Sequence, residues 1–105
     1  MNDPILREFL TKSEPLKPKI KMCRLFGSRA KGSERPDSDY DLFLVVTDDF
    51  MLSDKDKLYD IVMDILLDTG RLVSLKIFKE KEFHRLTKLQ TPFMENVIRD
   101  GIQIG

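Results

Sequence analysis

Leu42, Phe43, Leu44, Val45 and Val46 form an apolar run without a break. Successive side chains of a strand project to opposite faces. A strand of this composition therefore needs cover on both sides. Tyr40–Val46 is predicted to be such a strand, and the rest of the chain has to supply two layers around it. Ile20–Phe26 reads as a first strand. Leu72–Phe78 reads as a third, with Val73, Leu75 and Ile77 alternating against Ser74 and Lys76.

Helical signals fill the remainder. Asn2-Asp3-Pro4 is a helix start, with a capping residue and a proline in the first turn. Ile5, Phe9 and Leu6 give that helix an apolar stripe, and Pro15 and Pro18 bracket an exposed connector after it. Ser53 is placed as the cap of a second helix after a loop over 47–52. Leu58, Ile61, Val62, Ile65 and Leu66 have the spacing of a packed helix, and Gly70 ends it. A charged helix over 81–88 follows. Thr91-Pro92 opens a last helix carrying Phe93, Val97 and Ile98, closed by Gly101, and Ile102 with Ile104 could add an edge strand. The order is helix, strand, strand, helix, strand, helix, helix. The expected fold class is α/β (α+β), a small mixed β-sheet flanked by helices. All 105 residues are expected to form one domain, 1–105.

Charge and cysteine content narrow the function classes. Lys+Arg and Asp+Glu both number 18, so no global basic field drives non-specific nucleic-acid binding. No stretch approaches the ~20 apolar residues of a membrane span, and the N-terminus lacks a signal-peptide pattern. The lone Cys23 lies in an apolar run and reads as core. Together these lead us to expect a cytoplasmic protein.

One segment carries chemistry. Between the first two strands the chain reads Phe26-Gly27-Ser28-Arg29-Ala30-Lys31-Gly32, and after ten residues beyond Ser28, 29–38, comes Asp39-Tyr40-Asp41. Asp39 and Asp41 are two apart at the start of a strand, so both are expected on one face. Neighbouring carboxylates repel unless a cation joins them. Mg²⁺, a hard ion bound by carboxylates and substrate phosphates, is the natural one. Gly27 can turn backbone N–H groups toward a phosphate. Ser28 adds a hydroxyl, and Arg29, Lys31 and Arg35 add positive charge. The glycine spacing fits neither a Walker loop nor a dinucleotide fingerprint.

This segment resembles the signature of the DNA polymerase β-like nucleotidyltransferases. It is most similar to their minimal, stand-alone bacterial and archaeal members, partners of HEPN proteins that act as antitoxins. The resemblance extends over the whole chain, with Pro92-Phe93 and Asp100-Gly101-Ile102 similar to the family's C-terminal part. It implies that Gly27, Ser28, Arg29 and Lys31 bind the nucleotide, and that Asp39 and Asp41 are the catalytic and metal-binding residues. It implies Mg²⁺ as cofactor, ATP or another nucleoside triphosphate as substrate, and transfer of a nucleoside monophosphate to a hydroxyl. The acceptor, on this reading, belongs to a partner protein: a HEPN-type helical chain, or another copy through self-association.

The match has a gap. The family has a third carboxylate on the next core strand, and Arg71–Phe78 has none. Ser74 is placed at the vacant position, and Lys76 is expected to bring a cation toward the aspartates. The competing reading is a binding module: a nucleotidyltransferase fold with weakened catalysis that neutralises a partner. His84, the only histidine, is read as a surface residue. Asp48, Asp49, Asp54, Asp56 and Asp60 are read as a solvated acidic face, and Phe83, Phe93 and Met94 as core or interface.

Overall fold

In a computed structural model, which describes residues 3–27 and 39–105, the sheet and the helices lie close to where the periodicity puts them. The elements are α1 (Pro4–Lys12), a 3₁₀ turn (Glu14–Lys19), β1 (Ile20–Phe26), β2 (Tyr40–Val46), α2 (Leu52–Thr69), β3 (Val73–Lys79), α3 (Glu80–Leu89), α4 (Pro92–Asp100) and β4 (Ile102–Gln103). The four strands form one sheet in the order β3-β2-β1-β4. β2 is antiparallel to β1 and parallel to β3, so the sheet is mixed as expected.

β2 separates two cores, for the reason visible in its composition. Leu42, Leu44 and Val46 pack with Phe9 of α1 and with Leu58, Val62 and Ile65 of α2. Phe43 and Val45 point the other way, into a smaller cluster with Met94 and Val97 of α4. Leu42, Phe43, Leu44 and Val46 have no exposed surface at all. Burying each such side chain stabilises the fold by roughly 1.5–3 kcal/mol. Phe43 centres an aromatic group, with ring centroids 5.2 Å from Phe78, 6.0 Å from Phe83 and 6.1 Å from Phe93.

The helix ends follow their capping residues. Asp3 Oδ1 accepts from the Ile5 N–H at 2.8 Å and starts α1. Thr91 Oγ1 accepts from the Met94 N–H and starts α4. Gly70 closes α2 in the left-handed conformation, φ +73°.

Three expectations need correcting. The connector around Pro15 and Pro18 is a 3₁₀ turn, and it is not wholly exposed, because Leu16 enters the larger core. The second helix is capped two residues earlier than Ser53. Met51 holds the cap position and the Asp54 carboxylate accepts its N–H at 2.9 Å. Asp54 is therefore no part of a solvated acidic face. It is buried, and its Oδ2 also accepts from Lys19 Nζ at 3.0 Å. The backbone hydrogen bond from Met51 and then the Lys19 ammonium hold its carboxyl below the usual range. Its neighbours Asp48, Asp49, Asp56 and Asp60 are exposed.

Among the described residues, no helix is long and apolar enough to cross a membrane. Cys23 is buried, and burial pushes its thiol pKa up to about 12.

Candidate active site

Three strands converge on one end of the sheet. β1 ends at Phe26, opposite Asp41 in the antiparallel register, and Gly27 follows immediately. Gly27 has φ +78°, a backbone conformation open to glycine at little cost. A methyl group added there would lie 2.7 Å from Asp41 Oδ2, inside van der Waals contact. The missing side chain at Gly27 thus lets the bend close directly over the carboxylate. Ser28, Arg29, Lys31 and Arg35, which the sequence singles out, lie outside the described residues.

Asp41 lies within β2, and Asp39 precedes the strand by one residue. Asp41 is half-buried and Asp39 exposed. Burial raises the Asp41 pKa most, and the charge of Asp39 raises it further. The Asp39 charge thus opposes ionisation of Asp41. Lys76 acts in the opposite direction and lowers the same pKa.

The parallel pairing with β3 explains the lysine. Asp41 is registered with Ser74, and Phe43 with Lys76. Registered residues share a face, so Ser74 and Lys76 stand on the same side of the sheet as Asp41. Ser74 is the β3 neighbour of Asp41. Among the described residues, no group of three His, Cys, Asp or Glu side chains could hold a metal ion. Two hard oxygen donors with mutual repulsion, beside a glycine bend whose backbone approaches one of them closely, do fit a divalent cation whose remaining ligands come from phosphate and water. Asp39 and Asp41 would hold it.

One supporting residue escaped the sequence reading. Tyr40, between the two aspartates, points to the opposite face. Its ring is buried, and its hydroxyl donates to Asp3 Oδ2 at 2.7 Å. The Tyr40 N–H donates to the Leu72 carbonyl at 3.0 Å. The backbone carrying the aspartates is thus tied to the cap of α1 and to the segment before β3. The only available signal was an aromatic with a polar tip at a buried position, which calls for a hydrogen-bond partner.

Phe26 and Phe93 meet edge to face at 5.8 Å, which seats α4 beside this end of the sheet. Phe83 is half-buried, Phe93 is partly exposed and Met94 is fully buried, so all three contribute to the smaller core. His84 is exposed on α3, as expected.

Several solved structures share this architecture. A toxin-antitoxin complex with AMP-PNP contains a chain similar to this one at 16% identity and TM-score 0.59, covering 98% of this chain and 72% of the other. The mutant toxin-antitoxin MntA-HpeT is similar at 13% identity and TM-score 0.55, with 93% and 70% covered. A Sulfolobus solfataricus protein assigned to the nucleotidyltransferases is similar at 20% identity and TM-score 0.51, with 94% and 78% covered. No curated protein matches the chain in sequence. At these identities the likeness speaks for the fold, and the fold is the one the Gly-Ser and Asp-x-Asp signature led us to expect. Residues 7–105 match the family described as Polymerase beta, Nucleotidyltransferase, and the chain belongs to that family.

Proposed function

We propose that this protein transfers a nucleoside monophosphate, AMP from ATP, to a hydroxyl of a partner protein, with Mg²⁺ as cofactor. The observation that carries this reading is the closure of the Gly27 bend on Asp41, with Asp39 alongside. In it, Asp39 and Asp41 are the catalytic and metal-holding residues. Gly27, Ser28, Arg29 and Lys31 receive the triphosphate. A divalent ion bound there supplies charge neutralisation at the reacting phosphate and stabilises the departing pyrophosphate. The chain's own part is placement. The bend would offer backbone N–H groups to phosphate oxygens, the aspartates would hold the ion that offsets the phosphate charge, and β2 keeps both on a rigid base. On this reading the acceptor belongs to another chain. The similar chains solved in toxin-antitoxin complexes, one of them with AMP-PNP, support a protein partner and a nucleotide. We place a HEPN-type helical protein in that role.

Ser74 favours a second reading. Beside Asp41 stand a hydroxyl and a lysine where a third acid would complete the site. On this reading the fold binds nucleotide and neutralises its partner, with transfer slow or lost. Incubation with α-labelled ATP, with and without the product of the neighbouring gene, separates the two. Label in the partner supports transfer, and a stable complex without label supports the binding module. Calorimetry with Mg-ATP tests what both share: the Asp39→Asn/Asp41→Asn double variant should lose the binding heat, and heats equal to wild type would overturn the site. Ser74→Asp should speed transfer if position 74 is the vacancy.

A further inference from the structure

The two flanks of Asp41 are unequal. β2 lies between β1 and β3, so the carboxylate has a strand on each side. On the β1 side stands Phe26, the antiparallel partner of Asp41, and Phe93 of α4 packs on it with ring centroids 5.8 Å apart. The Gly27 bend follows Phe26 at once. On the β3 side stand Ser74, half-buried, and Lys76, exposed. Alternation along β3 puts Ser74, Lys76 and Phe78 on the face of Asp41, so Lys76 is the one charge that this strand brings there. It lies about 6.6 Å along the strand from Ser74, a distance its four-carbon stem can span. Its charge lowers the Asp41 pKa, yet among the described residues it forms no ion pair.

We propose that Ser74 and Lys76 form the acceptor side of this site, and that Lys76 selects a hydroxyl carried in an acidic segment of the partner protein. This rests on the nucleotidyl-transfer reading of the site and narrows its acceptor. A triphosphate at the Gly27 bend takes up the β1 side, which leaves the β3 side for the incoming hydroxyl. With a divalent ion between them, the charges of Asp39 and Asp41 would be offset, and Lys76 would stand on the acceptor's path as a cation without a partner. A carboxylate beside the acceptor hydroxyl can pair with that ammonium, whereas a lysine or arginine in its place is repelled. Ser74 adds a hydroxyl that can donate to or accept from the incoming segment, and it carries no charge of its own. A nucleic acid fits this flank less well. The chain has no net positive charge, and a polyanion is held by several phosphate contacts, which one lysine does not supply.

The test uses the full chain with Mg²⁺ and α,β-methylene-ATP, which cannot be cleaved at the α–β bridge, so binding is read without transfer. Three fluorescent peptides carry one central tyrosine flanked by glutamates, glutamines or lysines. Anisotropy should rank them in that order, with about tenfold between the extremes at low salt and less at high salt. Lys76→Arg should keep the order, Lys76→Met should shrink the span to about threefold or less, and Lys76→Glu should invert it. Position 76 is exposed, so the three variants should unfold in urea as wild type does. Mg-ATP calorimetry separates the two readings. No heat from wild type strikes the nucleotide reading and this inference with it, whereas heat without any order among the peptides strikes this inference alone. An order unchanged in Lys76→Glu also overturns it. So does a Lys76→Met variant that binds Mg²⁺ more tightly and keeps the peptide order, which assigns the lysine to the aspartates. A short single-stranded RNA that binds more tightly than the glutamate peptide gives this flank to nucleic acid and overturns it as well.

Discussion

Replacing Gly27 by alanine separates two costs that the structure places on one residue. The first is backbone strain: at φ +78° a side chain costs roughly 1–2 kcal/mol. The second is contact with Asp41 Oδ2, which a methyl group would meet at 2.7 Å. That oxygen is the tip of a side chain and can rotate away, at about 0.5–1.5 kcal/mol for an off-rotamer carboxylate. Gly27→Ala should therefore lose roughly 1.5–3.5 kcal/mol. Gly70 is an internal control. Its φ is +73°, but nothing lies within 4 Å of the added carbon, so Gly70→Ala should show the strain alone. Urea unfolding of both variants gives the difference. In an Asp41→Ala background the difference should vanish, because the obstructing oxygen is gone. Function divides the pair further: Gly27→Ala should abolish Mg-ATP binding heat by displacing the carboxylate, whereas Gly70→Ala should keep it. Equal losses for the two variants in the wild-type background, with binding retained by Gly27→Ala, would refute the close approach of bend and aspartate.

Three further outcomes follow from the same geometry. The Asp41 pKa is raised by burial and by Asp39, so its charged form opposes folding. Its contribution is favourable below the unfolded carboxyl value near 4 and is lost as pH rises through the folded value. Asp41→Asn should then raise Tm at pH 7 while removing nucleotide binding, as scanning calorimetry and titration can show. Asp54 has the opposite sign. Its pKa is lowered first by the Met51 N–H and then by Lys19, so its stabilisation is full above pH ~4 and fades as pH falls through the lower folded value. Asp54→Asn should lower Tm at pH 7 and flatten the acid limb of the stability curve. Phe43 is fully buried among three other phenyl rings, and Phe43→Ala should cost about 3–5 kcal/mol in chemical denaturation.

β1 and β2 were legible in the sequence to the residue. Their apolar runs begin and end sharply, at Ile20 and Phe26 and at Tyr40 and Val46. The carboxylate pair was legible for the same reason, since strand alternation dictates what two residues of separation mean. Long-range partners were not. Asp54 looks like an ordinary first-turn aspartate, and nothing local reveals that Lys19, 35 residues earlier, reaches it. Leu16 sits between two prolines, and only the packing of the larger core draws it inward. The place of Ser74 beside Asp41 depends on the parallel register of β2 and β3, which is set across the whole length of α2. Tyr40 shows the same limit: its alternation was readable, but its hydroxyl partner Asp3 lies at the far end of the chain's first helix cap.

The division of β2 between two cores makes the strand intolerant of phase error. A single deletion just after Tyr40 would exchange inside for outside along every later position, sending Leu44 where Phe43 now packs. An insertion just before Tyr40 leaves the greasy part untouched yet moves Asp39 relative to Asp41. Side chains in this stretch can therefore be swapped one at a time with graded effects, whereas a change in its length strikes folding and chemistry at one stroke.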